Sequence, residues 1–141
     1  MTGSAAFVWD DRLRSYDFGP GHPLAPIRQQ LTYRLVRDFD LLATPGADLI
    51  DPVDPADAEA ALRVHTREFV DAVRIASVDQ ARSDHRRGLG TEDVPAFPGM
   101  HQAALHIAGA SLAAAATVAT GTHLHAVNIA GGLHHAQRDA A

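Results

Sequence analysis

An α/β chain is predicted by three observations. Short apolar, β-prone runs lie at residues 5–9, 49–50 and 124–130. Longer stretches of helical spacing or small-residue composition separate them, and Gly, Pro and acidic residues punctuate the junctions. At 141 residues and 46% hydrophobic composition, the chain carries one core and is read as one domain over 1–141.

The elements follow in order. The first run ends in Asp10 and Asp11 and is read as a strand. Residues 16–23 then concentrate two Gly, two Pro and His22, which excludes regular structure and specifies a loop. Pro26 suits the first turn of a helix, and Ile27, Leu31, Leu35, Phe39 and Leu42 recur at spacings of four and three. That pattern predicts an amphipathic helix burying this stripe and stopping before Pro45-Gly46. Asp54-Pro55 predicts a cap and first turn for a short helix over 56–64. Thr66 is the expected cap of the next helix, whose apolar face is Phe69, Val70, Val73, Ile75 and Ala76; His65 marks the break between the two. Residues 79–99 are polar and turn-rich, a loop long enough to suggest function or disorder. Residues 100–120 form a helix whose Ala surface and Gly109 permit close approach of another element, ended by Gly121.

Composition narrows the function classes. The formal charge of −5 is modest and the acids are dispersed, so neither nucleic acid nor an anionic membrane surface is an expected partner. All basic residues are Arg, a compositional bias that weakens any inference from Arg alone. Cysteine is absent, which removes disulfides, thiolate metal sites and a cysteine nucleophile. Residues 1–12 have no basic segment followed by an apolar core, so no signal peptide is read there, and a cytoplasmic location is expected. The Ala-rich stretch of 103–120 is too weakly apolar for a membrane span on this reading.

Chemistry concentrates near the end of the chain, in Ala126-Val127-Asn128-Ile129-Ala130-Gly131-Gly132-Leu133-His134-His135-Ala136. An apolar strand feeds a diglycine whose freedom of φ, or of close approach, would aim two imidazoles into a cleft. Imidazole titrates near neutrality and can take and return a proton in one turnover. A solvated loop is the competing reading. His123 and His125 have His-x-His spacing, which places two rings on one face of a strand, but zinc sites recruit three or four ligands and no third is evident nearby.

Five blocks, in order, resemble the zinc-dependent histone deacetylase family of the arginase/deacetylase superfamily, and its bacterial acetoin-utilisation branch. They are Gly19-Pro20-Gly21-His22-Pro23 with Pro26 and Arg28; Val64-His65-Thr66-Arg67-Glu68-Phe69-Val70; Gly90-Thr91-Glu92-Asp93-Val94-Pro95; the small-residue helix of 109–115; and the block of 126–136. They span nearly the whole chain. The resemblance implies the N-terminal part of a three-layer α/β/α fold with a mostly parallel sheet.

It also implies a deacetylase hydrolysing the acetyl amide of an acetylated lysine, on a protein or in a small acetylated amine. Zinc polarises the carbonyl and activates water in such enzymes. Carried over by motif, His135 is the general base and then acid, and His134 its electrostatic partner. Asp93 is the rim carboxylate that accepts substrate backbone N–H groups, with Gly132 beside the substrate. Arg28 and Gly131 border an internal channel, and His22 and Pro23 shape the pocket floor. The family's Asp-x-His metal ligands, later Asp and oxyanion-stabilising Tyr have no counterpart in these 141 residues. The expectation is therefore half an active site, inactive alone, with an exposed apolar edge on the last strand. A non-catalytic binding or assembly module is the alternative.

Overall fold

The computed structural model describes residues 4–133 and 135–141. Its centre is the strand β1, Ala5–Val8, flanked by β2, Ala47–Ile50, and β3, His125–Asn128, in the order β2-β1-β3. Both pairings are parallel, with Phe7 opposite Leu49 and Val127. A central parallel strand must be covered on both faces, and Ala6, Phe7 and Val8 are all buried. This confirms the α/β class and the parallel sheet.

Two helices supply the cover, one on each face. Helix α1, Ile27–Asp38, sends Tyr33 onto Trp9, with ring centroids 4.7 Å apart and planes 13° apart, and onto Phe7. Such a stack adds about 0.5–1.5 kcal/mol beyond the area it buries. The neighbouring residue Val8 points the other way, where it joins Leu13, Val53, Ala130, and Ile107 and Ala110 of helix α4, Met100–Ala119. Alternation along one strand thus produces three layers.

A helix forms where the spacing predicts one, but it ends at Asp38, with Asp40 in the left-handed region and a 3-10 turn over Leu41–Ala43, and its face is reversed. No residue of α1 is buried, and Ile27, Leu31, Leu35 and Phe39 are 49%, 49%, 56% and 72% exposed. The aromatic stack through Tyr33 orients the helix, and the aliphatic stripe is left about half exposed or more. The short helix α2 is Ala58–Leu62, capped by Asp57, whose carboxylate accepts from Ala60 N–H at 2.7 Å. Asp54 is not that cap; its carbonyl lies against Gly109 instead. A Cβ on Gly109 would sit 2.0 Å from that oxygen, so the close approach read from the small-residue helix is real.

Helix α3, Arg67–Val78, is capped by Thr66 as expected. Its Phe69 and Ala76 join Phe18, Leu89, Val94 and Met100 in a second core beneath the long polar loop. That loop is ordered by two 3-10 turns, Gln80–Arg82 and His85–Arg87. Helix α4 is the described helix long and apolar enough by composition to cross a membrane. Here its first half, from Met100 to Ala110, supplies buried residues to both clusters. On the outer edge of β3 no strand pairs among the described residues, and Leu124 and Val127 are half exposed, in line with the expected apolar edge.

Candidate active site

Loops leaving the C-terminal ends of β1 and β3 meet on one side of the sheet, the place where open parallel sheets build sites. From β1 the chain passes through a 3-10 turn into the loop of 16–23. Asp17 accepts Gly19 N–H at 2.8 Å, and Gly19 and Gly21 take φ of +93° and +89°, conformations that a side chain would strain. The result presents His22, whose ring meets Phe18 edge-on at 4.5 Å. His22 Nδ1 accepts from Leu24 N–H at 3.0 Å, so Nε2 carries the proton and donates to the Asp93 carbonyl at 3.1 Å.

Asp93 sits on a braced turn. Thr91 Oγ1 donates to the Gly88 carbonyl at 2.8 Å and accepts from Val94 N–H at 3.1 Å, while Gly90 N–H donates to the Val94 carbonyl at 2.8 Å. Val94 is buried, so the turn is pinned from below and Asp93 is left outward. Its Oδ2 accepts a hydrogen bond from His135 Nδ1 at 2.6 Å. The two side chains are 60% and 51% exposed. At such exposure the pair is worth roughly 0.2–1 kcal/mol in stability, so its content is geometric.

His135 reaches this position because the segment after β3 is fixed at two points. Ala130 is fully buried and its N–H donates to Asn128 Oδ1 at 3.0 Å, and Leu133 packs against the second core. Between them Gly131 and Gly132 are exposed. Neither has positive φ, and a Cβ at either would meet nothing within 4 Å, so the conformational demand expected of the diglycine is not what this arrangement uses. His134 lies outside the described residues. Arg28 Nη1 donates to the Pro23 carbonyl at 3.3 Å, tying the start of α1 to the loop that carries His22. His22, Asp93 and His135 are thus brought into one bonded set, with Arg28 and Pro23 at its margin.

Behind the Gly132–Leu133 segment lies an apolar cleft of about 490 Å³, lined by Val64, Phe69, Val73, Met100, Leu105 and Leu133 among others. His22, Asp93 and His135 do not line it. His101 does, and burial, then the Arg74 charge, push its pKa below the ordinary imidazole value, against the opposing charge of Asp71. His65 lies at the break between α2 and α3, as expected, and its Nδ1 donates to the Gln137 carbonyl at 2.8 Å.

The His-x-His pair does not converge. His123 precedes β3 and is buried, with Nε2 donating to Asp48 Oδ2 at 2.8 Å and Nδ1 facing Thr117 Oγ1, whereas His125 is exposed in the strand. Among the described residues no group of three His, Asp or Glu side chains could hold a metal ion. The zinc site that the resemblance implies therefore does not fit the ligands present here.

A third carboxylate–histidine pair was not singled out from sequence. Asp10, at the end of β1, accepts from Arg12 N–H and Nε, both at 2.9 Å, and from Val53 N–H at 3.0 Å; His106 Nε2 stands 3.4 Å away. The Arg12 guanidinium is the main cause that holds this carboxyl well below the usual carboxylate range, against the penalty of its burial. An acid immediately after an apolar strand is the only sequence signal for it.

Comparison with known proteins agrees with this architecture. Residues 22–141 match the family model described as the histone deacetylase domain. The acetoin utilization protein AcuC of Bacillus subtilis (strain 168) is 37% identical over 139 residues, covering 97% of this chain and 35% of that protein. Histone deacetylase 2 of Oryza sativa subsp. japonica is 34% identical over 139 residues, covering 96% and 27%. Histone deacetylase B of Dictyostelium discoideum is 32% identical over 138 residues, covering 96% and 32%. The chain spans about a third of the length of these relatives. With a matching model over most of its residues and the parallel α/β core that carries the five motif blocks, this chain belongs to the histone deacetylase family.

Proposed function

We propose that this chain supplies the proton-handling half of a lysine deacetylase, acting on an acetylated protein or small acetylated amine in the cytoplasm. The observation that carries the reading is the meeting of His22, Asp93 and His135 at the C-terminal edge of the parallel sheet. Amide hydrolysis needs a base to take a proton from water and an acid to return one to the departing amine. An imidazole with one nitrogen held by a carboxylate is suited to both steps in succession. His135 takes that role, His134 that of its electrostatic neighbour, and Gly132 lies beside the acyl group. Arg28, Pro23 and Gly131 border the path by which the small acid product leaves.

Zinc in this family supplies the electrophile, and its ligands are assigned to polypeptide beyond these residues, since the described side chains offer no set for it. The isolated chain is then inactive. The same lack of ligands favours a second reading, a non-catalytic binding or assembly module built on this part of the fold.

A chimera separates the two. Residues 1–141 replace the matching segment of the Bacillus subtilis AcuC protein, and hydrolysis of an acetyl-lysine peptide is followed. Turnover that falls about 10²–10⁴-fold in the His135→Ala chimera supports the catalytic reading. A folded chimera without turnover, or one indifferent to His135→Ala, refutes it and leaves the module.

A further inference from the structure

We propose that His65 and Arg87 are positioning residues for the tandem-histidine segment, gripping the backbone just after His135 from two places far away in sequence. That the segment handles protons rests on the reading above; the grip itself is a statement about geometry. Residues 137–141 adopt no helix or strand, and Gln137, Arg138 and Asp139 are exposed, so burial does not hold them in place. Hydrogen bonds do. The Gln137 carbonyl accepts from His65 Nδ1 at 2.8 Å and the Arg138 carbonyl from Thr66 N–H at 2.8 Å. The Asp139 carbonyl accepts from Arg87 Nη1 at 2.7 Å, and the Ala140 carbonyl from Gln137 N–H at 2.7 Å. Consecutive carbonyls from 137 to 140 are thus all engaged within the protein, where exposed ones outside regular structure are commonly left to water.

Both side-chain donors are themselves fixed. His65 lies between α2 and the Thr66 cap of α3, its N–H bonded to the Ala61 carbonyl at 2.9 Å and its ring centroid 5.2 Å from that of Phe69. A carbonyl only accepts, so the Nδ1 that faces Gln137 carries the proton. The Arg87 guanidinium is held from its other edge, with Nε 3.2 Å from Asp84 Oδ2. The same loop takes the segment by its backbone. Ala141 N–H donates to the Arg87 carbonyl at 2.9 Å, and a Cβ on Gly88 would collide with the Ala141 carbonyl. Leu133 and Ala141 both pack against the second core, so His135 lies on a segment anchored at each end. The block of 64–70, to which the resemblance assigned no site residue, thereby touches the histidine block. A displacement of about 1 Å at a reacting group can cost about 10²-fold in rate, so a loosened segment would be felt in the chemistry.

The test reads each variant at a contact that the altered side chain does not make. Amide hydrogen exchange is followed by NMR in the 141-residue chain. Arg87→Ala speeds exchange of Thr66 N–H about tenfold, and His65→Leu speeds that of Ala141 N–H about tenfold, the equivalent of one hydrogen bond. The amides of β1 are unchanged in both. Arg87→Lys keeps a cationic donor and His65→Asn places an amide N–H near the position of Nδ1–H, so each returns the rates toward those of the unaltered chain. In the AcuC chimera, Arg87→Ala and His65→Leu lower kcat by about 10–10²-fold with KM little changed, and the two conservative variants recover it. Unchanged exchange in both variants, or release of the β1 amides along with the segment, overturns the proposal. Faster exchange with undiminished kcat in an active chimera overturns the positioning role. A chimera inactive in its unaltered form refutes the proton-handling reading instead, and the grip then stands or falls on exchange and its rescue.

Discussion

Of the three carboxylate–histidine pairs among the described residues, Asp10–His106 and Asp93–His135 differ most in their surroundings, which give them different work. Asp10 and His106 are 4% and 7% exposed, and the carboxylate is saturated by Arg12, Val53 N–H and His106. Asp93 and His135 are more than half exposed, and their contact closes a line of hydrogen bonds that begins at a loop on the far side of the sequence. The first pair satisfies a buried strand end; the second joins two exposed segments. Residue type is the same in both, so burial and the number of competing partners decide the role.

The largest effect should fall on the buried pair. Asp10→Ala leaves the N–H groups of Val53 and Arg12 without their acceptor inside the fold, and a buried donor so orphaned, as at Val53, costs about 1–3 kcal/mol. The guanidinium of Arg12 is 56% exposed and keeps much of its water, which holds the total near 3 kcal/mol. Urea unfolding followed by circular dichroism should show that loss, and a midpoint unchanged from wild type would show that Asp10 is dispensable.

Acid should reveal the same carboxylate in the unaltered chain. Its folded pKa lies below the ordinary value of 3.8, chiefly because of Arg12. A depressed pKa means that the unfolded state binds the proton first as pH falls. The contribution is therefore complete above about pH 5 and is lost progressively below about pH 4. Asp10→Asn should start from a lower urea midpoint at pH 7 and fall less between pH 5 and pH 2. Parallel pH curves for the two proteins would exclude Asp10 as the source of acid sensitivity.

These contrasts also mark what the chain reveals before it folds. Strand positions, the Thr66 cap, the close approach at Gly109 and the ordered loop at 19–23 depend on local chemistry, and local chemistry is written in neighbouring residues. The buried face of α1 was misread because the aliphatic stripe satisfied helical spacing, whereas a single aromatic stack through Tyr33 decided which side meets the sheet. The partnership of Asp93 with His135 spans 42 residues and that of Asp48 with His123 spans 75, separations at which no spacing rule operates. The motif blocks singled out both His135 and Asp93, but not the contact between them. His-x-His spacing even pointed the wrong way, since the two rings are separated by the start of β3 and one is buried.

That His123 knot provides an intermediate case. Its ring is buried while its partner Asp48 is 69% exposed, so one end resembles the Asp10 cluster and the other the Asp93 pair. His123→Ala removes a buried ring that ties β2 to the end of α4, and the expected loss is about 2 kcal/mol, between the extremes. Asp48→Ala should cost less, about 1 kcal/mol, because the 69%-exposed carboxylate vacates a place that water can reach to accept from His123 Nε2. Thermal unfolding of the two variants would invert this order only if the Asp48 contact, and not the burial of the ring, were the source of the stability.

The smallest change in stability should accompany the pair of greatest chemical interest. Asp93→Ala and His135→Ala each remove a contact between groups more than half exposed, and salt screens such contacts and side-chain entropy offsets them. Each should shift the urea midpoint by less than the equivalent of about 0.5 kcal/mol. A loss as large as that of Asp10→Ala would make the Asp93–His135 contact a structural tie, and the distinction drawn between the two pairs would fail. A negligible loss would instead leave stability with the desolvated carboxylate, and only the meeting of two exposed segments with the solvated one.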